Sequence, residues 1–149
     1  QVANHTYDHQ YLSSLGRERM QQQIGAASQA VLDACGVLPV LVRPPGGKTN
    51  RQALTMLETM GFPAVLWSVD TKDWQNRDAG KIVETVLSQV KDGDIVLMHD
   101  IYPSTADAAA VIIPALKEKG FQLVTVSELA SFRGGMMPGR LYRKFSPGS

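Results

Sequence analysis

With 149 residues, the chain is long enough to bury one hydrophobic core. Its 44% hydrophobic and 19% charged content is that of a folded globular protein and excludes general disorder. A net charge of +1 gives no electrostatic reason to expect nucleic acid or a membrane surface as partner, and no apolar run approaches the roughly 20 residues that cross a bilayer.

The chain opens with Gln1, Val2, Ala3 and Asn4, with neither an initiator methionine nor a charged leader, as expected of a piece cut from something longer. A His-x-x-x-His pair, His5 and His9, follows at once. If this segment is one turn of helix, both rings fall on one face. That spacing suits two imidazoles on one metal ion, with room left for a carboxylate and a water. Taken alone, the pair is a weak signal. Asn4 and Thr6 are candidates to orient the loop, and Asp8 is expected to point elsewhere, which makes it a poor third ligand.

Arg17 to Ala34 reads as an amphipathic helix with Met20, Ile24, Ala27, Val31 and Leu32 inward. Cys35 is the only cysteine, which excludes an internal disulfide and a thiolate cluster. Its place before Gly36 predicts buried packing rather than a nucleophile. Val40 to Val42 is a short apolar strand ended by Arg43 and Pro44. A helix from Arg51 to Met60 is capped by Asn50 and stopped by Gly61.

Ala64 to Val69 is the next strand, ending at Asp70, and Lys81 to Val90 has the apolar spacing of a helix. Ile95 to Met98 forms a third strand that ends at His99 and Asp100. A helix from Ala106 to Lys119 and a strand from Gln122 to Val126 complete the pattern. Apolar strands alternating with helices predict an α/β fold with a parallel sheet covered by helices. The last segment carries Arg133, Arg140, Arg143 and Lys144 without an acid, and its glycines and Pro138 make it a loop. It is expected to be solvated or to lie across its own domain, with contact to an anionic polymer as the lesser reading.

Polar groups follow three of the four strands: Arg43 the first, Asp70 and Asp73 the second, His99 the third. Each alone is as readily a surface ion-pair partner, a cap or a core hydrogen-bonding group. Together at the carboxyl ends of consecutive strands, where ligands of parallel α/β folds gather, they point to a site.

Four motifs now carry a family resemblance. The segment from Asn4 to His9 resembles the metal-binding H-[ST]-x-x-H motif of polysaccharide deacetylases with the NodB homology domain, carbohydrate esterase family 4. Arg43-Pro44-Pro45-Gly46-Gly47 is similar to the R-x-P-Y/G motif, Asp70-Thr71-Lys72-Asp73-Trp74 to D-x-x-D-W, and Leu97-Met98-His99 to L-x-H. Order and placement agree over nearly the whole chain. The resemblance implies part of a distorted (β/α) barrel, with residues 1–132 the C-terminal portion of the deacetylase domain and 133–149 a tail.

It also implies roles. His5 and His9 would ligate a divalent metal, commonly zinc, which polarises the acetamide carbonyl and activates water. His99 would be the general acid toward the leaving amine, held charged by Asp73, and Arg43 would tune the catalytic carboxylate. Trp74 and Leu97 would wall the acetyl pocket, and the Gly46 N–H would help hold the oxyanion. Glycine at position 46, where the family usually has tyrosine, keeps the donor but loses a ring for substrate.

The family's first motif, T-F-D-D-G, supplies the general base and the third metal ligand, both aspartates, and is not in this sequence. The expected explanation is a C-terminal portion of a deacetylase domain. A second is that the other portion comes from a separate chain or a swapped copy, and a third is a remnant without catalysis. The implied substrate is an acetylated polysaccharide such as peptidoglycan or a chitin-like glycan, in the cell envelope or outside the cell. A non-catalytic glycan-binding remnant, or an amide hydrolase acting on a small molecule, is the alternative. The chain alone is expected to be inactive and to bind metal poorly.

Overall fold

The computed structural model describes residues 1–146. They form two compact units: Gln1–Leu66 with Gly135–Tyr142, and Trp67–Gly134 with the residues from Arg143 onward.

In the first unit, helix α1 spans Arg17–Cys35, and Gly36 ends it in the left-handed conformation that glycine adopts without steric cost. Met20, Ile24 and Ala27 form its buried stripe, and Gln23 is a polar member of the same stripe. Helix α2, Arg51–Thr59, is capped by the Asn50 side chain, which accepts from the Ala53 N–H at 2.9 Å. Strand β1 is Ala64–Val65.

Parallel backbone pairing runs from Asn4 to Val42 and from Val42 to Ala64, and β1 then pairs with a strand near the C-terminus, Leu141–Tyr142. Around this short ladder pack Leu12, Met20, Ile24, Val42, Ala53, Leu57 and Ala64, all fully or nearly fully buried.

In the second unit, strand β2 (Val69–Asp70) is followed by the short helix α3 (Asp73–Asn76) and by α4 (Ala79–Gln89), which Asp78 caps. Strand β3 (Val96–Leu97) pairs with β2 in parallel, Val69 opposite Val96 and Asp70 opposite Leu97. Helix α5 (Pro103–Glu118) packs on α4 through Ile82, Val86, Ala108, Ile112 and Leu116. Helix α6 (Val126–Ser131) starts on a capping box between Thr125 and Glu128, and the C-terminal strand of the first unit, Leu141–Tyr142, is β4.

Several expectations change. The strand expected from Ala64 to Val69 is two strands, because the Leu66 N–H donates to the Tyr142 carbonyl whereas those of Ser68 and Val69 both donate to the Ile95 carbonyl. The run Val40–Val42 contributes only the bridge at Val42. Gln122–Val126 is not a strand: among the described residues Leu123 and Val124 have no ladder partner, and the capping box commits Val126 to helix. Cys35 is exposed rather than buried, its thiol 3.2 Å from the Val31 carbonyl. Of the segment read as a loop, Leu141 and Tyr142 form β4, and residues 147–149 lie outside the described ones.

Candidate active site

The His5–His9 segment is not helical. Thr6 and His9 both take left-handed backbone conformations, with φ of 60° and 59°. Such angles are costly for residues with a Cβ and persist only where surroundings impose them. Here α1 imposes them. The buried Asn4 side chain donates to the Ile24 carbonyl (2.8 Å) and to Ser28 Oγ (2.9 Å), and its Oδ1 accepts from the Thr6 N–H at 2.9 Å. Gln23 Oε1 accepts from the N–H groups of Tyr7 and Asp8, at 3.0 and 2.8 Å. Asp8 turns away from the ring pair, to Gln23 and Arg19.

This turned loop, rather than a helical face, brings the rings of His5 and His9 edge to face, with centroids 4.9 Å apart. Two imidazoles bound to one zinc ion at about 2.0–2.1 Å in near-tetrahedral geometry have centroids about 5 Å apart, so the pair fits two positions of such a site. His5 Nδ1 hydrogen-bonds the Arg43 carbonyl oxygen. A carbonyl only accepts, so Nδ1 carries the proton and Nε2 keeps the lone pair, the tautomer a metal ligand needs. Among the described residues no group of three His, Cys, Asp or Glu side chains is arranged to hold an ion.

Arg43 is half-buried, burial lowers its pKa from the ordinary value, and no acid pairs with it among the described residues. Gly46 sits in a tight turn at φ 57°, its N–H donating to no described group. A Cβ there would lie 3.0 Å from Tyr11 Cε1, so the Tyr11 ring occupies that side of the turn.

In the second unit the decisive group is Asp73, whose side chain is completely buried. Its Oδ1 accepts from His99 Nδ1 (2.8 Å) and the Trp74 N–H (3.0 Å); its Oδ2 accepts from the His99 N–H (2.5 Å) and the Thr105 hydroxyl (2.9 Å). Burial alone pushes its pKa up, but the bonds from the His99 ring, the His99 backbone and Thr105 outweigh this and hold it below the ordinary carboxylate value. An ionised Asp73 only accepts, so His99 carries its proton on Nδ1 and presents Nε2 outward, with the side chain 29% exposed.

Trp74 is half-exposed, and Leu97 is buried with its carbonyl taken by the Thr71 hydroxyl at 2.8 Å. Asp70 caps its own turn by accepting from the Lys72 N–H. A groove of about 690 Å³, lined by Asp94, Ile95, Phe121 and Phe132 among others, opens at the end of β3 opposite His99.

Thr105 and Gln23 were not singled out in the sequence. Gln23 had a readable signal, a polar residue inside an apolar helical stripe. Thr105 had none, because its partner is 32 positions away.

A family profile described as polysaccharide deacetylase matches residues 1–65. The solved structure of the T48 deacetylase with substrate superposes with a TM-score of 0.88 at 35% identity, covering 95% of this chain and 69% of that one. The chain belongs to the polysaccharide deacetylase family. Its parallel strands and helices are accordingly part of that family's (β/α) barrel fold. A family 4 acetyl xylan esterase from Clostridium thermocellum, solved in complex with a cobalt ion, has a TM-score of 0.89 at 25% identity, covering 99% of this chain and 73% of that one. The peptidoglycan-N-acetylglucosamine deacetylase PgdA of Listeria monocytogenes is 40% identical over 129 residues, or 87% of this chain. The chain spans only 27% of that relative's length.

Proposed function

We propose that this chain carries part of the active site of a metal-dependent hydrolase that removes N-acetyl groups from a glycan, with peptidoglycan as the first substrate class. The observation that carries the reading is the imidazole pair: two rings at ligand spacing, one of them locked in the ligand tautomer, in a chain of this family. Similarity to PgdA favours peptidoglycan.

His5 and His9 are the residues that would hold a divalent ion, zinc by the chemistry of the donors, with an aspartate from the upstream motif as third protein ligand. Bound there, the ion supplies Lewis acidity toward an acetamide carbonyl. The half-buried Arg43 suits a carboxylate partner, as a general base would provide. Gly46 offers an N–H to oxygen on which negative charge develops. As the imidazolium, after Nε2 has taken up a proton from the attacking water, His99 would give that proton to the departing sugar amine, while Asp73 keeps Nδ1 protonated and the ring oriented. Trp74 and Leu97 are assigned the wall against the acetyl methyl. Activity on peptidoglycan implies a protein of the cell envelope.

The test is acetate release from N-acetylated peptidoglycan, and metal content, for this chain and for a form extended upstream through the first motif. The reading expects one metal per extended chain, acetate release by that form, and neither from the 149 residues alone. An extended form with neither metal nor activity supports a non-catalytic glycan-binding remnant instead. Release from small cyclic amides but not from glycan supports a small-molecule amide hydrolase.

A further inference from the structure

Two loops leave the carboxyl ends of β2 and β3, one carrying Asp73 and the other His99. Beyond the Thr71–Leu97 and Thr105–Asp73 hydrogen bonds, two side-chain pairs join them. The first joint is the hydrogen-bonded pair already described. The second is Arg77, whose guanidinium carbon lies 4.9 Å from the centre of the Tyr102 ring. Each member of this second pair is tied by its own backbone to a member of the first. The Arg77 N–H donates to the Asp73 carbonyl at 3.0 Å, and the Tyr102 N–H donates to the His99 carbonyl at 3.3 Å.

Tyr102 is also the residue before α5, and its carbonyl accepts from the Thr105 N–H at 2.9 Å, while the Thr105 hydroxyl reaches Asp73. Arg77 itself is held in the left-handed region, at φ 48° and ψ 34°, so its side chain is presented from a conformation that non-glycine residues rarely adopt. Among the described residues no carboxylate pairs with Arg77, and its guanidinium rests over the Tyr102 ring.

We propose that Arg77 and Tyr102 form a positioning clamp for His99, fixing the distance between the β2 and β3 loops so that the His99–Asp73 bond keeps its geometry. Neither residue needs to touch substrate for this. A cation over a ring tolerates loss of the phenol hydroxyl but not of the ring. The clamp has no direct counterpart in the short strands, whose pairing ends at Asp70 and Leu97, before either loop begins. Its catalytic consequence rests on the deacetylase reading, whereas its effect on the His99–Asp73 bond does not.

The experiment compares Tyr102→Phe, Tyr102→Leu and Arg77→Gly in the active protein. Glycine at 77 removes the guanidinium while accepting the left-handed backbone, so loss of folding is not built into that variant. The clamp predicts that Tyr102→Phe behaves as wild type. Tyr102→Leu and Arg77→Gly should lower kcat by up to roughly a hundredfold with KM unchanged, the scale on which misplacement of a reacting group by about 1 Å acts. In the same two variants the His99 Nδ1–H proton signal should exchange faster with water.

Unchanged kcat and unchanged exchange in both variants would overturn the clamp, as would a rise in KM with kcat preserved, which marks a substrate contact. If no form releases acetate, the deacetylase reading has failed, and proton exchange alone decides for or against the clamp.

Discussion

Gln23 grips Asp8 at both ends of its amide. Its Oε1 accepts from the Asp8 N–H and its Nε2 donates to Asp8 Oδ2, both at 2.8 Å. One buried helix side chain thereby fixes the loop on which His5 and His9 meet, and engages the carboxylate nearest the pair in sequence.

Gln23→Ala should therefore act at a distance. It leaves the N–H groups of Tyr7 and Asp8 without their acceptor, which costs about 1–3 kcal/mol of stability. It should also weaken zinc binding by the complete site at least about tenfold, as loss of groups that orient ligands does. Thermal unfolding and a zinc titration check both; a variant with unaltered zinc affinity would show that the loop holds itself.

The pH dependence of stability should carry the mark of Asp73. Its folded pKa lies below the ordinary 3.8, so its contribution is fully present above that value and is lost as pH falls through the lower folded value. Asp73→Asn, which removes the charge behind four hydrogen bonds, should destabilise the protein by about 3 kcal/mol at neutral pH. The gap between the variant and wild type should narrow as pH falls below about 4. Denaturant unfolding at several acidic pH values measures it, and a gap that does not narrow there would contradict the sign.

Two glycines make a matched pair. A Cβ on Gly93, at φ 85°, would fall 1.7 Å from the Phe145 carbonyl oxygen, whereas Gly25 in α1 has open space around it. Gly93→Ala should cost more than about 2 kcal/mol. Gly25→Ala should add about 0.5–1 kcal/mol through helix propensity. Equal Tm values for the two variants would refute the geometry at Gly93.

The helices were legible because their signals are local: the Met20–Ile24–Ala27 stripe, the Asn50 cap and the Gly61 stop all lie within a few residues of what they control. The strands were less so. Where the run from Ala64 splits depends on partners at Tyr142 and Ile95, far away in sequence. The β-rich run at Gln122 lost to a four-residue capping box, Thr125 to Glu128. At the site, the motifs nominate candidate residues and their order along the chain, but the means of positioning them was not legible. His5 and His9 meet through left-handed turns that no helical spacing rule anticipates, and Asp73 is satisfied by Thr105 from another helix.

The account stands or falls on the separate parts given to His99 and the imidazole pair. The direct measurement is acetate release from N-acetylated peptidoglycan, with metal content determined on the same samples, for the upstream-extended protein and its His99→Ala variant. The account predicts one metal ion per chain in both and a turnover at least about a hundredfold lower in the variant. Loss of the metal from His99→Ala, or turnover undiminished by it, would contradict it.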